Sequence, residues 1–386
     1  MVGFMLVNNI GINSRVQNTN LNRENAIKNT LVYNNVSNPI ADNKISSQAI
    51  SNYFRGEQLV SFKGHSCDKS EFKVKQEKDI PCACCGRKML RNSDVKAFEE
   101  KAVGLRGKEL QSHLAAHMDY FRGTEKAVVN FLMKTSERNP KLTIKGLLNQ
   151  YSPNAKALLE DEQKNVLKEL SKKAEPLGKN NAVEKCIIKA LNDIKNSNEE
   201  HFFQRKPFLK NIVDATKDIE DKEYAGQLLD IAVKLPMSQN SIEAFIVKYA
   251  HSNRDDKSIA HRLAQTAIST AEHIHPDTLG GPDNTANYVA ECADCNSKRG
   301  HMPLNEWMEN FPNMPRSVQK NINEVTERII NGNLGQKYDD YPEDIKKTFH
   351  RETDGVIKLQ VKNPQEITKA RQDAHCRRKN KAQQAA

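Results

Sequence analysis

Two cysteine pairs, each spaced Cys-x-x-Cys, dominate what this chain can fold into: Cys82 with Cys85, and Cys292 with Cys295. Two thiolates at this spacing grip one ion from a tight turn, and zinc takes four such ligands in a tetrahedron. Gly86 after the first pair suits that turn, because glycine tolerates positive φ. One closed, structural four-cysteine zinc site is therefore expected. Cys85 and Cys292 are 207 positions apart. The chain between them must leave the zinc and return to it, so its two ends should lie close together, as in a domain insertion. Cys84 sits inside the first pair and is read as a non-ligand. Cys67, Cys186 and Cys376 stand alone and read as core or surface thiols.

The 386 residues suggest two to three units at roughly 150 residues each. Aromatic residues are 6% with one Trp, which argues against an all-β sandwich or barrel. No apolar run approaches the ~18 residues of a membrane helix, so no membrane partner is expected. The apolar start, Gly3 to Val7, is too short for a secretory core. Dispersed cysteines without such a signal argue for metal rather than disulfides, and for a cytoplasmic chain. Lys and Arg number 59 against 49 Asp and Glu, a net charge of +10. A basic chain is drawn to polyanions, and nucleic acid is the common one in a cytosol.

Residues 1–55 are rich in Asn and Ser without sustained apolar periodicity, and are expected to be disordered. Residues 56–92 hold a short strand at Leu59–Phe62, a charged linker and the first knuckle. Residues 93–265 turn helical. Leu158, Leu159, Val166, Leu167 and Leu170 share one helical face. Similar faces recur at Ala182–Ile194, Phe208–Ile219, Tyr224–Leu235 and Ile242–Tyr249, separated by Pro and Gly. Ser93-Asp94 and Ser152-Pro153 read as helix starts. Residues 266–312 are dense in His, Cys, Gly, Asn and Pro. Residues 313–386 carry helices near Val318–Ile330 and Pro342–Phe349, then a basic tail from Lys369 to Lys381 that reads as a frayed, solvated terminus.

Within residues 266–312, Glu272 precedes His273, and a strand there would place their side chains on opposite faces. One can hold a metal while the other faces a water, and His suits a general base near neutral pH. Asn296 follows the last cysteine, so zinc would fix its position. Gly280-Gly281 lets the chain double back, and Asn287 can tie that loop through its side-chain amide.

This text resembles the HNH endonucleases of the ββα-metal type. The pattern stands here as Glu272, His273, Ile274, Pro276, Gly280, Gly281, Asn287, Cys292, Cys295, Asn296, Arg299 and Gly300. The resemblance implies an α+β, mostly helical chain. Its treble-clef ββα-metal core is stapled by zinc and interrupted by the all-α insertion at residues 93–265. It implies His273 as general base, Glu272 and Asn296 as ligands of a catalytic Mg²⁺ or Mn²⁺, and Asn287 as the loop brace. The implied reaction is metal-dependent hydrolysis of nucleic acid, with DNA the expected substrate, leaving 5′-phosphate and 3′-hydroxyl ends. Three features depart from the pattern. The acidic position is usually Asp, about 187 residues separate the first knuckle from His273, and a second histidine, His275, lies two residues on. Lys298 and Arg299 stand where they could contact phosphate or form a simple solvated face.

Residues 251–310 hold five Lys or Arg against nine Asp or Glu, so the motif region is acidic and most nucleic-acid grip must come from elsewhere. That acidity and the Glu272 departure keep two rivals open. One is a zinc-organised binding module without catalysis, the other an interaction scaffold whose working part is the helical block. Nothing in the sequence fixes the oligomeric state.

Overall fold

The computed structural model describes residues 68–385 apart from residues 152, 198–202, 237, 238 and 251. The Asn-rich start, the expected strand at Leu59–Phe62 and Cys67 lie outside the described residues. The described chain is mostly helical with a small two-stranded sheet.

The helical stretch runs through α1 (Asn92–Ala102), α2 (Gly107–Ala115), α3 (Gly123–Arg138), α4 (Ile144–Tyr151), α5 (Ala155–Ala174), α6 (Ala182–Lys195), α7 (Arg205–Thr216), α8 (Lys222–Ala232), α9 (Gln239–Tyr249) and α10 (Asp256–Gln265). Short polar side chains begin several of these helices by accepting an otherwise orphaned backbone N–H. Asn154 caps α5 from Ala157, Asn181 caps α6 from Glu184, Asp221 caps α8 from Tyr224, and Asp255 caps α10 from Ser258, at 2.8–3.0 Å. The α5 cap is thus Asn154, two residues beyond the start expected at Ser152-Pro153, because the asparagine carbonyl reaches the N3 amide.

Strands β1 (Ser269–His273) and β2 (Tyr288–Cys292) form an antiparallel hairpin, with Glu272 opposite Val289 and His273 opposite Tyr288. The chain continues into α11 (Ala293–Arg299), which packs on both strands. Then come α12 (Leu304–Met308), α13 (Met314–Ile330), α14 (Tyr341–Glu352) and α15 (Pro364–Ala385).

The helical stretch leaves and returns at neighbouring points. Leu90 N–H donates to Ala267 O, and Ser269 N–H donates to Leu90 O, both at 2.9 Å. Its helices nevertheless serve two cores. Phe98, Leu110, Leu114, Leu132, Ile259 and Leu263 belong to one apolar cluster. Leu167, Ile212 and Leu228, from α5, α7 and α8, belong to the other, together with the knuckle cysteines, the hairpin and the helices after it. Phe72 joins the lead-in of the first knuckle to this second cluster, its ring centroid 5.7 Å from Tyr288 and 5.9 Å from Tyr341.

The basic tail is not a frayed terminus. Residues Pro364–Ala385 form α15, which packs on α13. Ile367 and Ala374 are buried, Arg371 pairs with Asp339 at 2.9 Å, and Arg378 donates to Asn331 O at 2.8 Å. Two small apolar contacts and two arginine anchors outweigh the repulsion that the charge run suggests.

Candidate active site and zinc centre

The two cysteine knuckles fix the position of the hairpin and α11. Cys82 N–H donates to Arg87 O and Gly86 N–H donates to Cys82 O, each at 2.8 Å, closing the first turn. Gly86 has φ 72°, and a Cβ there would meet Ser317 Oγ at 2.9 Å. The second pair sits where β2 becomes α11. Cys292 is the N-cap of that helix, and its sulfur accepts from Cys295 N–H at 3.5 Å.

The four sulfurs of Cys82, Cys85, Cys292 and Cys295 lie within 4.8 Å of one another, and all four residues are buried. Zinc–sulfur bonds near 2.3 Å in a tetrahedron put sulfurs roughly 3.8 Å apart. Cys85 and Cys292 stand at 4.0 Å, so the donor set fits zinc. Cys292 N–H donates to Cys82 Sγ at 3.3 Å and Arg87 Nη2 to Cys292 Sγ at 3.0 Å, contacts that favour thiolates. Cys84 is outside the cluster. Its sulfur accepts from Trp307 Nε1 at 3.2 Å, and burial pushes its thiol up to about 12, so it stays protonated.

On the hairpin, successive side chains alternate between faces. Thr270, Glu272, Val289 and Glu291 share the face covered by α11, and His273 lies on the other with Tyr288. Asn296 Nδ2 donates to Thr270 Oγ1 at 3.1 Å and Ala271 O at 3.3 Å. That leaves its Oδ1 without a hydrogen bond among the described residues. Arg299 turns inward rather than toward a solvent-borne phosphate. Its guanidinium meets Glu272 Oε1 at 3.2 Å and the carbonyls of His273 and Ile274 at 2.7 Å. Lys298, by contrast, is exposed and pairs with Asp294 at 2.9 Å.

Burial pushes Glu272 up to about 7, although the Arg299 charge opposes this. Glu291 is fully buried, its pKa is raised well above the carboxylate range by desolvation, and its Oε2 has no hydrogen-bond partner. This face thus holds two carboxylates against one guanidinium. Its hard oxygen donors, Glu272 and the free Asn296 Oδ1, suit Mg²⁺ or Mn²⁺ better than zinc.

His273 is 5% exposed, its ring centred 4.8 Å from the Tyr288 ring. Its Nε2 lies 2.7 Å from Asp283 Oδ1, and the Tyr288 hydroxyl donates to the same oxygen at 2.8 Å. These two hydrogen bonds hold Asp283 below the usual carboxylate range, so it is ionised and the imidazole must donate. The proton therefore sits on Nε2, and Nδ1 keeps its lone pair. Burial lowers the His273 pKa below the ordinary value, with Asp283 opposing. The ring is neutral at pH 7, as a proton acceptor must be.

Asp283 belongs to none of the sequence motifs. Its one signal is a carboxylate ten positions after His273, in the loop that the glycine pair folds back. That fold-back has a clear cause: a Cβ on Gly281 would lie 1.9 Å from His275 O. Asn287 is fully buried inside the loop. Its Oδ1 accepts from His275 N–H at 2.8 Å, and its Nδ2 donates to His275 O and Pro282 O at 3.0 and 3.1 Å. Both ring nitrogens of His275 are engaged within the fold. Its Nδ1 meets Glu352 at 2.7 Å and its Nε2 meets Leu279 O at 3.0 Å, pinning the loop to α14.

A hairpin with Glu272 and His273 on opposite faces, a glycine fold-back and a cysteine-anchored helix define the class of site. Residues 261–312 match the family model described as HNH endonuclease, and over this span the resemblance read in the sequence is shown. No curated protein and no solved structure matches the chain significantly. No helix among the described residues is long and apolar enough to cross a membrane.

Proposed function

We propose that the hairpin and α11 act as a zinc-stapled ββα-metal nuclease core of treble-clef type, which hydrolyses phosphodiester bonds of nucleic acid, DNA by preference. The observation that carries this reading is the His273–Asp283 contact at 2.7 Å, which leaves Nδ1 as a lone-pair acceptor on the strand that also bears Glu272. His273 takes a proton from water through Nδ1 as that water attacks phosphorus in line. Asp283 orients the ring and offsets the imidazolium charge that forms. Glu272 and Asn296 hold the divalent cation, and Asn287 fixes the loop that carries Asp283. The cation, when bound, supplies polarisation of a phosphoryl oxygen and stabilisation of the leaving 3′ oxygen. Buried free thiols fit a reducing, cytoplasmic setting.

The second reading, a zinc-organised nucleic-acid or protein-binding module without catalysis, draws on one observation: Arg299 already occupies Glu272. The test is relaxation of supercoiled plasmid by zinc-loaded protein across Mg²⁺, Mn²⁺ and chelator, with RNA in parallel. Nicking that depends on the added ion supports the nuclease. Tight binding without nicking in any ion supports the module.

A further inference from the structure

A second polar centre lies beside the zinc cluster, apart from the hairpin. While Asn296 and Arg299 of α11 point to the strands, Asp294 and Lys298 line a cavity of about 50 Å³ between the first knuckle, the start of α3 and the α7 and α8 region. That is several times the space one water needs. Arg87, Arg122 and Arg205 all reach it.

The charges around the cavity do not balance. Its acidic side chains are already engaged: Glu125 pairs with Arg262 at 2.7 Å, and Asp294 with Lys298. None of the three arginines has a carboxylate partner among the described residues. Arg122 Nη1 donates to Cys85 O at 2.7 Å, and Arg205 donates to Asn310 O and Val233 O at 2.9 Å. Arg87 meets Cys292 Sγ and Thr266 O. Arg87 is 2% exposed and Arg205 8%, yet Arg87 Nε and Nη1 and Arg205 Nε have no hydrogen-bond partner. Leaving such donors buried and unpaired is costly, the more so for charged groups. Four thiolates around Zn²⁺ carry a net charge of −2 and so offset at most two of the three guanidiniums. The start of α3 adds to the imbalance. Its 16 residues begin at Gly123 with no side-chain cap, so its positive end faces the same space, offset in part by Glu125 in the first turn.

We propose that this cavity binds a phosphate group, held by Arg122, Arg87 and Arg205 and by the first amides of α3. The guanidinium fork matches the oxygens of a tetrahedral oxyanion, and an uncapped helix start supplies the remaining donors. The phosphate is carried either by nucleic acid lying against the helical stretch or by a free phosphate ion. Binding here is independent of catalysis at the hairpin.

The test uses full-length, zinc-loaded protein and inorganic phosphate. Thermal unfolding is monitored against rising phosphate and against chloride at equal ionic strength. A saturable rise in Tm specific to phosphate is expected for the wild type, with affinity falling at least about tenfold in Arg122→Gln. Zinc content and Tm in chloride are the controls for Arg122→Gln. Should that variant not fold, Thr124→Glu places a carboxylate at the same helix start and should abolish the phosphate response by repulsion. A wild type that responds no more to phosphate than to chloride overturns the site, as do variants that respond like wild type. The salt dependence of DNA binding then assigns the source. A slope lowered by about one in Arg122→Gln marks a backbone phosphate of nucleic acid, and an unchanged slope marks a free one.

Discussion

The four-cysteine cluster and the Glu272 face are built on the same hairpin, yet they treat their donors differently. At the cysteines every donor is soft, buried and turned toward the others, and N–H groups from Cys292, Cys295 and Arg87 complete the surroundings. No sulfur is left over for a substrate. On the α11-covered face Glu272 is tied to Arg299, and Glu291 Oε2 has no partner. Asn296 Oδ1 accepts nothing among the described residues, and His273 keeps an unshared lone pair. A closed donor set stabilises a fold, while an incompletely satisfied one stores chemistry. Substitutions at the two sites should therefore fail in different ways.

The largest effect is expected at the closed site. Cys292→Ser should lose zinc and, with it, cooperative folding. Structural zinc is worth ~10–16 kcal/mol in small zinc-binding peptides, comparable with the whole stability of a domain. Elemental analysis with a melting curve checks this, and full zinc occupancy in the variant would refute the ligand set. Cys84→Ser is the matched control. It should keep zinc and lose only the Trp307 contact, about 1 kcal/mol.

Next comes Arg299→Met, which takes the ion-pair partner from buried Glu272 and pushes its carboxyl further up. Breaking such a pair costs roughly 3–5 kcal/mol. If the Glu272 face is a cation site, added Mg²⁺ should restore part of the lost Tm, and Glu272→Gln in the same background should remove that rescue. Absence of any Mg²⁺ effect in Arg299→Met would mark the face as purely structural.

Asp283→Asn should lower single-turnover cleavage by about 10–100-fold, the range seen when a partner that orients a functional histidine is removed. Its pH signature is specific. Asp283 raises the His273 pKa against the lowering by burial. Without that charge the pKa should fall further, so the acid limb of the rate profile should move to lower pH. A rate loss with an unmoved limb would mean that Asp283 only holds the loop.

The smallest effect concerns His275. Contact with Glu352 raises its folded pKa above the ordinary 6.5 and, outweighing burial, keeps the Glu352 carboxyl low. The raised histidine contributes stability that is complete below about pH 6.5 and fades as pH climbs through the folded pKa. The Tm gap between wild type and His275→Ala should therefore be wider at pH 5.5 than at pH 9. Equal gaps would make the pair a neutral hydrogen bond.

Part of this architecture is legible in the chain. The cysteine spacing and the glycine pair are local constraints, so the zinc cluster and the fold-back can be read from residue identity. The helices around Leu158, Ile187 and Val318 are also readable, since apolar periodicity marks them. What periodicity does not carry is which helix packs on which. Leu167 and Phe98 belong to one continuous helical stretch but to different cores. The last helix is hidden in the sequence because its charges outnumber its two buried contacts, Ile367 and Ala374. Arg299 reads in the sequence as a phosphate contact or a solvated charge, and the carbonyls of His273 and Ile274 instead turn it inward. Asp283 escapes a sequence reading because its partner is set by the loop's path, which depends on Asn287 and Gly281 together.

Everything proposed for the hairpin turns on whether His273 acts as a base or merely as a packed ring beside Tyr288. The direct measurement is single-turnover cleavage of nucleic acid by wild type and His273→Ala at fixed salt, with zinc content and DNA affinity determined on the same samples. If His273 is the base, the variant keeps zinc and affinity while its rate falls ~10²–10⁴-fold. Equal rates in the two proteins, or a wild type that cleaves neither DNA nor RNA with any divalent ion, would contradict that role.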